Sequence, residues 1–182
     1  MEFTAPEIDW LLVSPLLAVF AAALVGIVVE AFTPRALRRP VQAGIAGVGL
    51  LAALVLTVVV ALELPSQGGG AAHGEVTLAG AVVVDGPAVF LWGLLAVVAV
   101  GGLALFTERP GADLGSGAGI GTGGVGEASG DGGAPASYDR WEHTEVYPLM
   151  TFAVAGMMLF AAAGDLLTMF VALEILSLPL YL

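Results

Sequence analysis

The sequence predicts an all-α membrane protein, a polytopic bundle of transmembrane helices, and three observations support this prediction. Of its 182 residues, 58% are hydrophobic and only 12% are charged, whereas soluble domains carry about 25% charged residues. The apolar residues are gathered into long uncharged runs. Each run approaches the length of about 20 residues that a helix needs to cross a bilayer. Several such runs leave too little polar sequence to cover a soluble fold.

Five runs are predicted to span the membrane. The first four contain uncharged stretches of 19 to 22 residues, and the fifth contains one charged residue, Glu174. A helix rises about 1.5 Å per residue, so each long stretch can cross a hydrocarbon core about 30 Å thick. The approximate bounds of the five predicted spans are 11–32, 41–64, 87–107, 146–164 and 166–182.

The arginines predict how the chain is oriented. Arg35, Arg38 and Arg39 lie between the first two spans, and Arg109 and Arg140 lie between the third and the fourth. The chain has no other Arg or Lys. Short loops that carry basic residues stay on the cytoplasmic side of a membrane. We therefore predict a multi-pass protein of the plasma membrane with its N-terminus outside.

The segments between the spans differ in composition. Residues 108–144 are rich in Gly, Ala and Ser in their middle part, which predicts a flexible cytoplasmic loop. Residues 75–84 are predicted to form a small β-hairpin with Gly80 in its turn. Pro34 and Pro40 are predicted to mark the helix boundaries around the first connection.

Several classes of site are excluded by composition. The chain has no Cys and therefore no thiolate metal site, and its net charge of −11 argues against a nucleic-acid partner. Residues 119–124 fit the pattern G-x-G-x-x-G, but glycine continues on both sides, so no strand and helix flank it to hold a pyrophosphate. His73 and His143 lie in loops on opposite sides of the membrane. We predict no cofactor-binding residue and no metal ligand.

Three acids at the ends of spans are expected to have local, structural roles. Glu30 has Arg35 nearby in the sequence, and Glu63 ends the second span. Asp165 follows Gly164 and opens the fifth span. An acid at that position suits a helix N-cap, because it accepts hydrogen bonds from free backbone N–H groups and complements the helix dipole.

Glu174 lies deeper than any of these acids. It is the ninth residue from Leu166, so eight steps of about 1.5 Å place it about 12 Å below the entrance of the helix. An ionisable side chain there costs roughly 2.5–3.5 kcal/mol and normally faces a bundle interior or a wet cavity on a proton or ion path. Pro179 adds an irregularity, because it has no N–H for the carbonyl of Ile175. Alternatively, Glu174 is neutral and forms one interhelical hydrogen bond.

The C-terminal part of the chain resembles a known family. Residues 165–181 read DLLTMFVALEILSLPLY, and residues 142–145 before them read EHTE. These residues are similar to spans four and five of subunit N of bacterial NADH-quinone oxidoreductase, respiratory complex I, in its actinobacterial form. The detailed similarity covers about forty residues, and the first three spans agree in number and spacing.

The resemblance implies a larger antiporter-like fold, of which residues 1–182 would be the N-terminal part of one membrane domain. It implies a proton-translocating membrane-arm subunit that couples quinone reduction to proton transport, and thus a subunit of a translocase without a complete active site in this fragment. Glu174 would be the proton-translocating acid, working with lysines on later helices, and Pro179 and Asp165 would shape its helix. The subunit itself would hold no cofactor, whereas the whole complex uses NADH and quinone. Its partners would be other membrane subunits and the lipid bilayer.

Two alternatives remain open at this point. An Mrp-type cation/proton antiporter subunit has the same fold but no redox partner. A structural membrane bundle, in which Glu174 only holds helices together, would need no titrating carboxyl at all.

The predicted orientation can be tested by cysteine labelling. Because this chain has no Cys, single cysteines at Gly69 and Gly124 report two loops without background. We expect an impermeant thiol reagent to label Gly69→Cys in intact cells, and to label Gly124→Cys only after the membrane is opened. Labelling of both positions from the same side would contradict the five-span prediction.

Overall fold

A computed structural model of the protein describes residues 8–63, 74–107 and 144–181. Those residues form five α-helices and one short hairpin, so the predicted all-α bundle is confirmed. The elements are α1 (Trp10–Phe32), α2 (Arg35–Glu63), β1 (Glu75–Thr77), β2 (Val82–Val84), α3 (Gly86–Thr107), α4 (Val146–Ala161) and α5 (Leu166–Ser177). The glycine-rich loop, the 119–124 pattern and both histidines lie outside the described residues.

Three of the described helices are long and apolar enough to cross a membrane. They are α1, most of α2 (Leu37–Glu63) and most of α3 (Gly86–Leu105). The helices α4 and α5 are also apolar but have only 16 and 12 residues. At about 1.5 Å per residue these lengths are about 24 and 18 Å, less than the hydrocarbon core. Both helices end earlier than the predicted spans 146–164 and 166–182.

The prediction that Pro40 marks a helix boundary is wrong. The helix α2 begins at Arg35, directly after Pro34, and continues through Pro40. A proline deprives the carbonyl four residues earlier of its hydrogen bond, and here that carbonyl lies in the first turn of α2. This loss is tolerated near a helix end, where water or side chains can satisfy the free group. Pro15 takes the same sixth position in α1.

The helices pack as a bundle in which α1 lies against α2 and α4, and α2 also lies against α3. The helix α5 packs mainly on α4. Side chains such as Leu24, Val55 and Val98 point outward and are more than half exposed, as in a bundle whose outer face meets lipid. The centre is made by residues that are completely buried, including Val19, Leu50, Ala53, Trp92 and Met158.

A glycine allows α1 and α2 to approach each other closely. A Cβ atom added at Gly49 would collide with the Cβ atom of Ala22. Small residues at such crossings are typical of membrane helices, because lipid tails are as apolar as side chains and association depends on close van der Waals packing.

The predicted hairpin is confirmed. The strands β1 and β2 are antiparallel, and Glu75 lies opposite Val84 while Thr77 lies opposite Val82. Gly80 lies in the turn with a φ of +98°, in the left-handed region that glycine adopts readily.

The close approach at Gly49 predicts a sharp difference between two alanine substitutions in α2. Gly49→Ala should lower the free energy of unfolding by about 1–3 kcal/mol, because the added methyl group overpacks the α1–α2 contact. Gly44 is exposed and has nothing within 4 Å of an added Cβ. Gly44→Ala should therefore be neutral or stabilise by up to about 1 kcal/mol through helix propensity. Thermal unfolding in detergent measures the stability of both variants. Equal changes in the two variants would contradict the close α1–α2 contact at Gly49.

Candidate functional site at the junction of α4 and α5

The C-terminal end of α4 lacks a regular helical hydrogen bond. The N–H of Ala162 bonds to the carbonyl of Leu159, three residues earlier, at 3.2 Å. The Met158 carbonyl, which a continuing helix would pair with Ala162, instead accepts a hydrogen bond from Nε1 of Trp92 on α3 at 2.7 Å. This bond is buried. Because an unpaired buried carbonyl is costly, the indole allows α4 to end inside the bundle.

The hairpin also forms hydrogen bonds with the residues that follow the C-terminal end of α4. The N–H of Val83 donates to the Ala162 carbonyl at 2.8 Å, and the N–H of Gly164 donates to the Ala81 carbonyl at 2.8 Å. A Cβ atom at Gly164 would collide with the carbonyl oxygen of Gly80. The α4–α5 turn therefore pairs with the hairpin almost as a third strand, and glycine is required where the two backbones meet.

Asp165 lies at the N-cap of α5. Its Oδ1 atom accepts a hydrogen bond from the backbone N–H of Thr168 at 2.6 Å. Hydrogen bonds from the backbone and then the side chain of Thr168 hold the pKa of Asp165 below its ordinary value of 3.8. The cap fixes the first residue of α5 and thereby the depth of every later residue in that helix.

Glu174 is the ninth of the twelve residues of α5. Its side chain is exposed and lies among exposed apolar residues, Phe170, Val171, Leu173 and Leu178. Among the described residues, no group forms a hydrogen bond or an ion pair with its carboxylate. Its backbone carbonyl accepts hydrogen bonds from the N–H of Leu178 and, at 3.1 Å, from Oγ of Ser177. The carboxylate therefore lies on a surface of α5 that α4 does not cover.

Two features fix the part of α5 that follows Glu174. The α-helix ends at Ser177, and a 3-10 turn over Leu178–Leu180 contains Pro179. On the other side, α4 approaches through Gly156, where an added Cβ would lie 2.7 Å from the backbone nitrogen of Leu176. The backbones of α4 and α5 are thus in direct contact just after Glu174.

Glu30 forms a second polar group, at the other end of the bundle. Its Oε1 atom accepts a hydrogen bond from Oγ1 of Thr144 at 2.6 Å and lies 3.6 Å from the guanidinium of Arg38. Its Oε2 atom is buried and has no partner among the described residues. The expected local pairing is therefore made with Arg38. The side chain of Arg35, the predicted partner, is outside the described part.

Gln42 forms a buried hydrogen bond between α2 and α1. It is 1% exposed and donates from Nε2 to the carbonyl of Gly26 at 2.8 Å. Sequence reasoning missed both Gln42 and Trp92. A Gln in an apolar run and a buried Trp side chain each need a hydrogen-bond partner, but the sequence does not show which carbonyl supplies it. Within the described ranges, no group of three or more acidic or His side chains is placed to hold a metal ion.

The chain is similar over its whole length to proteins named NADH-quinone oxidoreductase subunit N. It is 52% identical over 190 residues to the protein of Nocardioides sp., covering 100% of this chain and 34% of that relative. It is 46% identical to the Salinispora arenicola protein, covering 100% of this chain and 32% of the relative. For the Thermobifida fusca protein the identity is 45%, covering 98% and 31%. The chain spans about a third of the length of these relatives. No family model matches it.

The Asp165 cap predicts a pH-dependent stabilisation of the first turn of α5. Its pKa is lowered in the folded state, so the stabilisation is present above its ordinary value of 3.8 and is lost as the pH falls further. At pH 7, Asp165→Ala should speed hydrogen exchange of the Thr168 N–H, whereas Asp165→Asn keeps an acceptor and should have a smaller effect. The difference between wild type and Asp165→Ala should shrink near pH 3, and a constant difference would contradict a role for the charge.

Proposed function

This chain belongs to the family of NADH-quinone oxidoreductase subunit N, and from that premise we propose that it is part of a proton-translocating membrane-arm subunit in which Glu174 binds and releases a proton while the complex reduces quinone. The premise rests on identities of 45% to 52% over 98% to 100% of the chain. The relatives are named as subunits of an oxidoreductase. Among the described residues, Glu174 is the candidate proton carrier.

The observation that carries the proposal is the surroundings of Glu174. Its carboxylate projects from an apolar helix, among exposed apolar side chains and without a partner in the described part of the chain. A charged side chain facing lipid at this depth costs roughly 2.5–3.5 kcal/mol. In the assembled subunit this surface of α5 must therefore face polar groups or water within protein, and that is the environment in which a membrane carboxylate exchanges protons.

The proposed chemistry is a reversible protonation of one carboxylate. A cation close to a carboxylate favours its ionised form, and a dry environment without the cation favours the neutral acid. Movement of a cation toward Glu174 would thus release its proton, and withdrawal of the cation would allow another proton to bind. The resemblance to the family implies that lysines on later helices would supply this cation. Release on one side of the membrane and uptake from the other would make the cycle a transport step.

The remaining assignments belong to the same proposal. The N-terminus lies outside the cell, as the arginine distribution predicts. Its partners are the other membrane subunits of the complex and the lipid bilayer. NADH and quinone are substrates of the whole complex, and this part of the subunit needs no cofactor of its own. The subunit is a component of a translocase, and this chain contributes Glu174 to the proton step.

The relatives' names favour the oxidoreductase over an Mrp-type antiporter subunit. The third alternative, in which Glu174 only packs helices, can be distinguished from a proton-binding role by replacing Glu174 with Gln. Gln has nearly the same shape as a neutral Glu and can form hydrogen bonds, but it cannot titrate. A packing role therefore tolerates Glu174→Gln, whereas a proton-binding role does not.

We expect Glu174→Gln in the full-length, assembled complex to lower both proton transport and quinone reduction by about 100-fold, the lower end of what a positioned proton-transfer group contributes. Both rates fall because a blocked proton step stalls the redox step in a coupled machine. Glu174→Asp keeps the proton but shortens the side chain by one methylene, and it should retain partial activity. Rates are measured in membrane vesicles, with assembly checked separately.

The matched control is Glu63→Gln, the same chemical change at an exposed acid that ends α2. It should leave both rates unchanged. Wild-type rates in Glu174→Gln would disprove the proton-switch role, although the family membership would stand.

A further inference from the structure

We infer that Trp92 on α3 is a positioning residue for Glu174 and acts on it through the C-terminal half of α4. The inference rests on the proposed function of Glu174. It assigns to Trp92 no contact with protons or substrate, only control over where the carboxylate is held.

Trp92 forms a hydrogen bond to the last turn of α4. Its Nε1 atom donates to the Met158 carbonyl at 2.7 Å, and both side chains are completely buried. That carbonyl has lost its regular partner, because the Ala162 N–H turns to the carbonyl of Leu159. The indole is therefore the group that satisfies this carbonyl, and its loss leaves the last turn of α4 free to shift until another donor is found.

The helix α4 in turn contacts α5 just after Glu174. Gly156 precedes Met158 by two residues, and a Cβ at Gly156 would lie 2.7 Å from the nitrogen of Leu176 and 3.1 Å from the carbonyl carbon of Ile175. These two residues follow Glu174 directly. The Ile175 Cγ2 atom also lies 3.0 Å from that added Cβ. Because Gly156 has no side chain of its own and α5 packs directly on it, a displacement of α4 moves the segment that carries Glu174.

The proposed switch depends on the distance between Glu174 and a cation. The hairpin bonds and the Asp165 cap hold the beginning of α5, but they lie at the end of the helix that is remote from Glu174. The α4 contact holds the part near Glu174. The interaction between a carboxylate and a cation falls with the distance between them. An anchor that sets the position of α4 therefore sets how strongly Glu174 responds to a cation on another helix.

The experiment uses Trp92→Phe in the full-length, assembled complex in membranes. This change keeps an aromatic ring and removes the N–H donor. Trp10→Phe is the matched control, because Trp10 is 67% exposed at the beginning of α1. Two quantities are measured: the carbonyl stretching band of protonated Glu174 by infrared difference spectroscopy, assigned by its loss in Glu174→Gln, and the number of protons transported per quinone reduced.

We expect Trp92→Phe to shift the Glu174 band and to lower the number of protons per quinone, and Trp10→Phe to change neither. A purely structural role would lower the amount of assembled complex and leave the band of the remaining complex in place. An unshifted band together with a wild-type proton ratio in Trp92→Phe would overturn the inference.

If Trp92→Phe does not assemble, replacement of Trp92 by 3-benzothienylalanine keeps the bicyclic shape and exchanges only the N–H for sulfur. A shifted Glu174 band in that variant supports the inference, and an unshifted band overturns it. The two proposals fail separately. Full activity in Glu174→Gln removes the proton switch, whereas the band position in the Trp92 variants tests the positioning in either case.

Discussion

Backbone carbonyl groups inside a membrane bundle must find donors without water, and the end of α4 is organised by this constraint. The helix stops at Ala161, and the Met158 and Ala162 carbonyls are then satisfied by an indole on α3 and by a strand of the hairpin. These bonds allow the chain to turn at Gly164 and begin α5. The hairpin is therefore part of the bundle's hydrogen bonding, and the depth of Glu174 follows from where α4 ends.

Neighbouring elements of the bundle approach each other closely at three glycines. Gly49 brings α2 against α1, Gly156 brings α4 against α5, and Gly164 brings the turn against the hairpin. In each place a methyl group would meet atoms of the neighbouring element at less than van der Waals distance. Elements that pack directly on a glycine have little freedom to move independently, because the glycine has no side chain that could adjust to absorb a shift. The bundle thus holds α5 by contacts along its length as well as at its end.

Two acids of the bundle, Glu30 and Glu174, differ in whether the described residues provide a partner for the carboxylate. Glu30 is bound by Thr144 and lies beside Arg38, so it joins α1, α2 and the beginning of α4. Glu174 has no partner in the described chain and is surrounded by exposed apolar side chains. An acid whose Oε1 atom is bound by neighbouring elements holds those elements together, whereas an acid on an uncovered helix surface remains available to groups from elsewhere in the subunit.

The sequence alone determined the features that depend on composition and on counting along the chain. These include the helical bundle, the hairpin at 75–84 and the place of Glu174 as the ninth residue of an apolar helix, because hydrophobic runs and helical rise are local properties. Only the tertiary structure decided that α2 continues through Pro40, that Glu30 pairs with Arg38, and that Trp92 satisfies Met158. The first is an irregularity whose cost depends on its surroundings. The other two join groups that lie on different helices. Trp92 and Met158 are 66 residues apart, and only the packing of α3 against α4 brings the donor to the carbonyl that needs it.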